Sequence, residues 1–81
     1  MRFVETAIFT RQVVSLLSDD EYRSLQSALA LRPEQGAVIG ETKGLRKVRC
    51  GMGGSGKRGG IRVIYFIDHA ASVCYMLFAY R

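Results

Sequence analysis

The chain has 81 residues, which allows one domain over residues 1–81 and excludes a two-domain protein. Hydrophobic residues make up 48% and charged residues 23% of the chain, a balance that excludes intrinsic disorder caused by a lack of apolar side chains. The net charge of +5 favours an anionic partner.

The chain is predicted to begin with a short strand and a helix. Residues 2–5 are compatible with a β-strand, and Thr6 can cap a helix over residues 7–17. Within that helix Phe9, Val13 and the pair Leu16 and Leu17 recur on one face, which indicates the side that is buried.

A second helix is predicted over residues 19–32. It follows a capping box, in which the Ser18 hydroxyl accepts the Glu21 backbone N–H and the Glu21 carboxylate accepts the Ser18 backbone N–H. Pro33 ends the helix because it disfavours helical geometry at the preceding residue. The buried stripe of this helix is predicted to be Tyr22, Leu25 and Leu29, with Ala28 nearby.

The rest of the chain predicts a loop over residues 34–44 and then three strands. Residues 45–50 alternate, with Leu45, Lys47 and Arg49 on one face and Arg46, Val48 and Cys50 on the other. Residues 61–68 and 73–80 are apolar on both faces, which predicts two central strands joined by a hairpin turn at residues 68–72.

These elements predict an α+β fold in two layers, with the order β-α-α-β-β-β. Three consecutive strands joined by short connections form an antiparallel meander. Both helices must bury their apolar stripes, so we expect them on one face of an antiparallel sheet, with the other face partly open.

Charge is distributed very unevenly along the chain. Residues 1–42 carry four arginines and six acids, whereas residues 43–81 carry eight basic residues and one acid, Asp68. Seven of the basic residues lie within residues 43–62, which contain no acid. Such a segment repels itself unless an anion lies against it, so we expect a phosphate-bearing partner, RNA in particular.

Residues 51–58, in a glycine-rich connector over residues 51–60, match the first seven positions of the phosphate-binding loop G-x-x-x-x-G-K-S/T, but we reject that interpretation. Arg58 occupies the position of the magnesium-binding hydroxyl, and the segment leads into a strand rather than a helix. Cys50, Cys74 and His69 match no zinc-binding spacing, so we expect no metal and no cofactor. The chain contains only two cysteines, and Glu5 is an acid at a position where a signal peptide would be apolar. It also has no run of about 18 apolar residues. We therefore expect a cytoplasmic protein with no membrane partner.

Lys47, Arg49 and Arg62 are the candidate catalytic residues. The first two share a strand face, and Arg62 begins the next strand, where it can reach the same face. RNA can be cleaved without a metal when its own 2′-hydroxyl attacks the adjacent phosphate. This reaction needs a base, charge stabilisation on the phosphoryl oxygens and protonation of the leaving oxygen, which basic side chains can supply.

Four segments distributed along the chain carry a resemblance to a known family: residues 3–6, 17–22, 44–49 and Gly56-Lys57-Arg58-Gly59-Gly60-Ile61-Arg62-Val63-Ile64-Tyr65. They resemble the RelE/HigB toxins of bacterial type II toxin–antitoxin systems, and the match extends over nearly the whole chain. The last segment is the most specific and indicates the HigB-like branch. The resemblance implies a RelE-like fold and a metal-independent endoribonuclease that cleaves mRNA on the translating ribosome and inhibits translation. It also implies a cognate antitoxin, of the helix-turn-helix type, as partner.

The resemblance also implies residue roles. Lys47 matches a lysine that acts as base or stabilises charge, Arg49 matches a position that is often lysine, and Arg62 matches the arginine placed against the scissile phosphate. An arginine at position 49 can stabilise charge but is a poor base. The other basic residues of this half are expected to bind nucleic acid: Lys43, Arg46, Lys57, Arg58 and Arg81.

Two other functions stay open from the sequence. In the family a further segment follows the last strand, whereas this sequence stops at Arg81, which suggests a truncated form. The chain is then a non-catalytic binder, either an inactive toxin or a relative of the gyrase-directed ParE toxins. A general RNA-binding module is disfavoured because no stacking aromatic residues of the usual kind are apparent.

Overall fold

The computed structural model describes residues 1–50 and 60–81, which form an α+β fold with two helices and a five-stranded sheet. The elements in chain order are β1 (Arg2–Glu5), α1 (Ala7–Leu16), α2 (Asp19–Leu31), β2 (Ala37–Val38), β3 (Arg46–Cys50), β4 (Ile61–Asp68) and β5 (Val73–Tyr80). The prediction is confirmed for both helices and for four of the five strands, to within one residue at each end.

Both helices begin at the residues that the sequence indicates. The Thr6 hydroxyl accepts the Phe9 backbone N–H at 3.0 Å and starts α1. Ser18 and Glu21 form the complete capping box at the start of α2, with distances of 2.8 and 3.1 Å. Neither helix in the described part of the chain combines the length and the apolar character needed to cross a bilayer.

The sheet is mixed, with strand order β1-β5-β4-β3-β2, so the expectation of an antiparallel sheet is wrong for one strand pair. The pairs β2–β3, β3–β4 and β4–β5 are antiparallel, as expected for a meander. Strand β1 pairs in parallel with β5, from Arg2 opposite Val73 to Glu5 opposite Met76. Helices α1 and α2 carry the chain from β1 across one face of the sheet. Strand β1 is therefore free to lie at the sheet edge, where it runs in the same direction as its neighbour β5.

The second difference is β2, which lies inside the segment predicted to be a loop. Its two residues, Ala37 and Val38, pair with Lys47 and Arg46 of β3. A strand of two residues has no detectable periodicity, and here the pairing with β3 specifies it. The edge of the sheet next to the candidate catalytic strand is therefore partly covered.

The core lies between the helices and one face of the sheet. Along β4 buried and half-buried residues alternate strictly, as expected when one face is covered and the other is open. The core cluster consists of Phe9, Val13, Leu17, Leu25 and Leu29 from the helical layer and Cys50, Ile61, Val63, Tyr65, Ile67, Cys74, Met76 and Ala79 from the sheet. The predicted helix stripes are confirmed, and both helices pack on the same face.

Tyr65 connects the core to the turn that follows α2. Its side chain is fully buried, and its hydroxyl donates to the Pro33 carbonyl at 2.8 Å and accepts the Gly36 backbone N–H at 2.9 Å. Burial raises the pKa of this hydroxyl. Gly36 has no room for a side chain, because a Cβ there would lie 2.7 Å from the Tyr65 hydroxyl oxygen and 2.9 Å from the Lys47 carbonyl oxygen. The hydrogen bonds of the Tyr65 hydroxyl and the close packing of Gly36 therefore hold β2 and β3 in place relative to β4.

Candidate functional site

The candidate site lies on the open face of the sheet, opposite the helices. Strand register places Arg49 directly opposite Arg62, and Lys47 directly opposite Ile64. Residues that are directly opposite in an antiparallel pair share a face, and Lys47 and Arg49 lie two residues apart on β3. The structure therefore brings Lys47, Arg49 and Arg62 together on one face, as the alternation of the sequence predicts. We call these three residues the cationic cluster.

The pair formed by Arg49 and Arg62 is unfavourable without an anion. Like charges directly opposite on neighbouring strands destabilise a sheet, because their Cβ atoms are only about 5 Å apart. Within the described residues the two ion pairs are Arg23–Asp20 and His69–Glu34, so neither of these arginines is paired with a carboxylate there. A bound anion would relieve this repulsion, which makes the pair a candidate phosphate site.

The Arg49 side chain lies close to Gly60, which directly precedes β4. A Cβ at Gly60 would lie 3.2 Å from the Arg49 Cγ and 3.3 Å from its Nε, and Gly60 has a positive φ of 84°. The absence of a side chain leaves room for the arginine and permits the left-handed backbone. Gly60 thus contributes to the position of Arg49.

Strands β3, β4 and β5 carry no acidic residue at the end of the open face that holds Arg49 and Arg62. Strands β3, β4 and β5 contain one acid, Asp68, which lies at the opposite end of β4 from Arg62. Five residues lie between Arg62 and Asp68, which corresponds to a distance of roughly 20 Å along the strand. The Asp68 carboxylate accepts the Ala71 backbone N–H at 3.1 Å and so supports the hairpin turn. The charge of the open face is therefore strongly positive at one end.

The other predicted nucleic-acid-binding residues do not all join the cationic cluster. The guanidinium of Arg46 donates to the Glu34 and Gly36 carbonyls at 3.1 and 2.7 Å, on the side of Tyr65, and supports the turn after α2. Lys43 is exposed in the connection between β2 and β3, and Arg81 is exposed directly after β5. Lys57 and Arg58 lie outside the described residues.

The two cysteines and the histidine stay apart from the cationic cluster. Cys50 and Cys74 are free, buried thiols, and burial raises the pKa of each from 9.0 to about 11. They act as small core residues, as predicted. His69 is exposed in the turn after β4 and lies 3.4 Å from the Glu34 carboxylate. Within residues 1–50 and 60–81, no three His, Cys, Asp or Glu side chains come together in a way that could hold a metal ion.

A second polar cluster ties β1 to the helices. The Glu5 carboxylate accepts hydrogen bonds from the Tyr22 hydroxyl at 2.7 Å and from the Thr10 hydroxyl at 2.6 Å. Burial, together with the hydrogen bond to Glu5, raises the pKa of Tyr22. This cluster lies on the helical side of the sheet, so it stabilises the fold and does not contribute to the cationic cluster.

Sequence reasoning missed four aromatic side chains on the open face. They are Phe66 of β4 and Tyr75, Phe78 and Tyr80 of β5. Tyr80 lies directly opposite Arg62, and Phe78 lies directly opposite Ile64. Strict alternation along β5 separates Tyr75 from Phe78 and Tyr80, so the pattern of the sequence gives no signal for this cluster.

The chain matches no model of a known protein family. Its function is therefore inferred from the arrangement of the open face and from the resemblance of its segments.

Proposed function

We propose that the protein is a RelE/HigB-like toxin, a metal-independent endoribonuclease that cleaves mRNA on the translating ribosome and is neutralised by an antitoxin. The observation that carries the proposal is the pair of directly opposed arginines, Arg49 and Arg62, with Lys47 on the same face. Opposed guanidinium groups without a carboxylate between them are suited to hold the two free oxygens of a phosphodiester.

The positions of the three residues suit the reaction. Lys47 lies diagonally across from Arg62, so their Cα atoms are about 7–8 Å apart and their long side chains can reach one phosphate. In the proposed reaction the 2′-oxygen attacks the phosphorus, the bond to the 5′-oxygen breaks, and a base and an acid move the two protons. Arg62 and Arg49 stabilise the charge that develops on the phosphoryl oxygens.

The proton transfers are the part in which this chain departs from the family. Lys47 is the residue of the cationic cluster that can act as a base, because arginine stays protonated. We therefore propose that Lys47, as the neutral amine, accepts the proton of the 2′-hydroxyl, that Arg49 stabilises charge, and that water gives a proton to the departing 5′-oxygen. Arg46 is not part of this mechanism, because its guanidinium is bound to the carbonyls of the turn after α2.

Cleavage of translated mRNA, mapped by primer extension, tests the proposal. Arg62→Ala should slow cleavage about a hundredfold or more, since the loss of one preorganised charge contact costs on the order of 3 kcal/mol. Lys47→Ala should also slow cleavage. Arg11→Ala removes the same charge from the exposed side of α1 and is the matched control, with cleavage expected to be unchanged. Thermal melts followed by circular dichroism should show that all three variants keep the fold.

Two results decide against the proposal or for its alternative. If Arg62→Ala cleaves as fast as the parent chain, the site is wrong. If the parent chain binds ribosomes without cleaving mRNA, the non-catalytic binder of the same fold is favoured. In the second case binding that rests on the cationic cluster should still weaken with salt, and each lost phosphate contact should lower the log–log slope by roughly 0.7–0.9.

A further inference from the structure

The open face presents aromatic rings directly beside the cationic cluster. One row across the sheet consists of Arg49, Arg62 and Tyr80, and the next consists of Lys47, Ile64 and Phe78. The rings of Phe78 and Tyr80 are 6.0 Å apart between centroids. Phe78 is 38% exposed, which leaves one of the largest apolar side chains of the sheet in contact with water. These two rows place phosphate-binding and ring-stacking groups within one strand spacing of each other.

An irregularity in β5 produces this arrangement. Tyr65 pairs with Met76 and the adjacent Ile64 pairs with Phe78, so Leu77 is an additional residue in β5. The extra residue shifts the alternation by one position. Phe78 and Tyr80 therefore join Tyr75 on the open face, whereas strict alternation would turn them towards the helices.

Helix α1 holds the bulge in place with two side chains. The Thr6 hydroxyl donates to the Leu77 carbonyl at 2.8 Å, and the Gln12 side-chain oxygen accepts the Ala79 backbone N–H at 2.7 Å. Both contacts satisfy backbone groups of β5 beyond Met76, the last residue of β5 that pairs with β1. The exposure of the Phe78 ring is thus specified by contacts on the opposite side of the sheet.

We propose that Phe78, with Tyr80 beside it, is a stacking surface for the unpaired bases of RNA whose phosphates lie on the cationic cluster. The inference rests on the proposed RNA-directed function and adds a base-binding subsite to it. Bases of any sequence stack on aromatic rings, and bases in a duplex are not accessible to them. Single-stranded RNA is the occupant that the face fits, because it supplies anionic phosphates for the cationic cluster and flat, accessible bases for the adjacent rings.

No pattern in the sequence indicated aromatic residues beside the cationic cluster, and the structure places two of them there. The aromatic residues are visible in the sequence, but the bulge at Leu77 decides that Phe78 and Tyr80 share a face with Arg62. Gln12 is inferred to be a positioning residue, since it touches the backbone of β5 and not the RNA.

Binding measured by fluorescence anisotropy with two probes tests the proposal. One probe is an unstructured RNA hexamer, and the other is an abasic hexamer with the same sugar-phosphate backbone and charge. The parent chain should bind the RNA hexamer more tightly than the abasic one. Phe78→Leu should weaken binding of the RNA hexamer about tenfold, within the range known for loss of one stacked base, and leave abasic binding and the salt slope unchanged.

Three further variants separate the contributions of phosphate contacts, exposed apolar surface and the position of β5. Arg62→Ala should weaken the binding of both probes, because it removes a phosphate contact. Val14→Ala removes exposed apolar surface from α1, where Val14 is 75% exposed, and should change neither affinity. Gln12→Ala should reduce RNA affinity in the same direction as Phe78→Leu, again without a change in abasic binding.

The outcomes distinguish this inference from the proposed function. If the parent chain binds both probes equally, or if Phe78→Leu binds RNA as tightly as the parent, the stacking surface is wrong while the cationic cluster stands. If neither probe binds, the RNA-directed function fails and the inference fails with it. If Phe78→Leu instead dissociates a dimer in size-exclusion chromatography and leaves RNA affinity unchanged, the face is a protein interface and the inference is overturned.

Discussion

The two faces of the sheet are built from alternate residues of the same strands, yet they differ in burial and in how their polar groups are paired. On the helix-covered face of β4, Ile61, Val63, Tyr65 and Ile67 are all buried. On the open face of the same strand the residues are half-buried, and Arg62 lies among them. The covered face satisfies its groups internally, as the Tyr65 hydroxyl does with the turn after α2.

On the open face, charged and apolar side chains lack such partners within the described residues. Arg49 and Arg62 oppose each other, and Phe78 is exposed. Each of these features costs stability, since like charges repel and apolar area stays in water. The contrast shows that one face specifies the fold, whereas the other carries opposed charges and an exposed ring, which is the arrangement on which the proposed RNA binding rests.

The same substitution at neighbouring positions of β4 tests this contrast most strongly. Val63 is fully buried on the covered face, and Val63→Asp would bury a charge without a partner, with an expected cost of more than about 4 kcal/mol and loss of the folded state. Ile64→Asp places the same charge on the open face, where water can solvate it, and should leave a cooperative thermal transition. A Val63→Asp variant with the melting temperature of the parent would show that the two faces do not differ in this way.

The sequence predicted the covered face well because its features are local and periodic. Apolar spacing, the capping box from Ser18 to Glu21 and the break at Pro33 specify both helices, and the apolar runs specify β4 and β5. The positions of Lys47 and Arg49 on one face also follow from alternation alone. What failed depends on distant contacts: the partner of β1, and the two-residue strand β2, which exists only because β3 pairs with it.

The aromatic half of the open face was not predictable for a related reason. A bulge moves every later residue of a strand to the other face, and the one in β5 is stabilised by Thr6 and Gln12 of the helical layer. No residue pattern within β5 signals those contacts. The alternation of residues therefore predicted the cationic part of the candidate site. It did not predict the aromatic part, because the bulge changes the face on which Phe78 and Tyr80 lie.

A pair of glycine variants should sharpen the comparison by testing the junction between the two faces. Gly36→Ala would place a Cβ 2.7 Å from the Tyr65 hydroxyl oxygen and 2.9 Å from the Lys47 carbonyl oxygen. The turn and β3 must then move, at an expected cost of about 1–3 kcal/mol in unfolding free energy. Gly40→Ala is the matched control, because a Cβ there meets nothing within 4 Å. Urea denaturation of both variants measures the difference, and equal stability would show that the turn is not held by Tyr65.

The smallest expected effect concerns the two buried thiols of the covered face. Burial raises the pKa of Cys50 and of Cys74 from 9.0 to about 11, because it disfavours the thiolate. A group whose folded pKa is raised contributes its stability fully below the unfolded pKa and loses it as pH rises towards the folded pKa, here between about pH 9 and 11. Each thiol should therefore cost about 1 kcal/mol between pH 9 and 10, when only the unfolded chain releases the proton.

The double variant Cys50→Ala/Cys74→Ala isolates that contribution. Unfolding free energies from urea titrations at pH 8, 9 and 10 should fall by about 2 kcal/mol more in the parent chain than in the variant between the last two points. Tyr22 and Tyr65, whose pKa values are also raised by burial, should leave a smaller fall in both proteins, since free tyrosine begins to ionise only near pH 10. The changes between pH 9 and 10 are compared rather than the absolute values, because truncating a buried cysteine lowers stability at every pH. An equal fall in both proteins would mean that the thiols are already accessible to water, and that the covered face is less closed than the burial of Cys74 indicates.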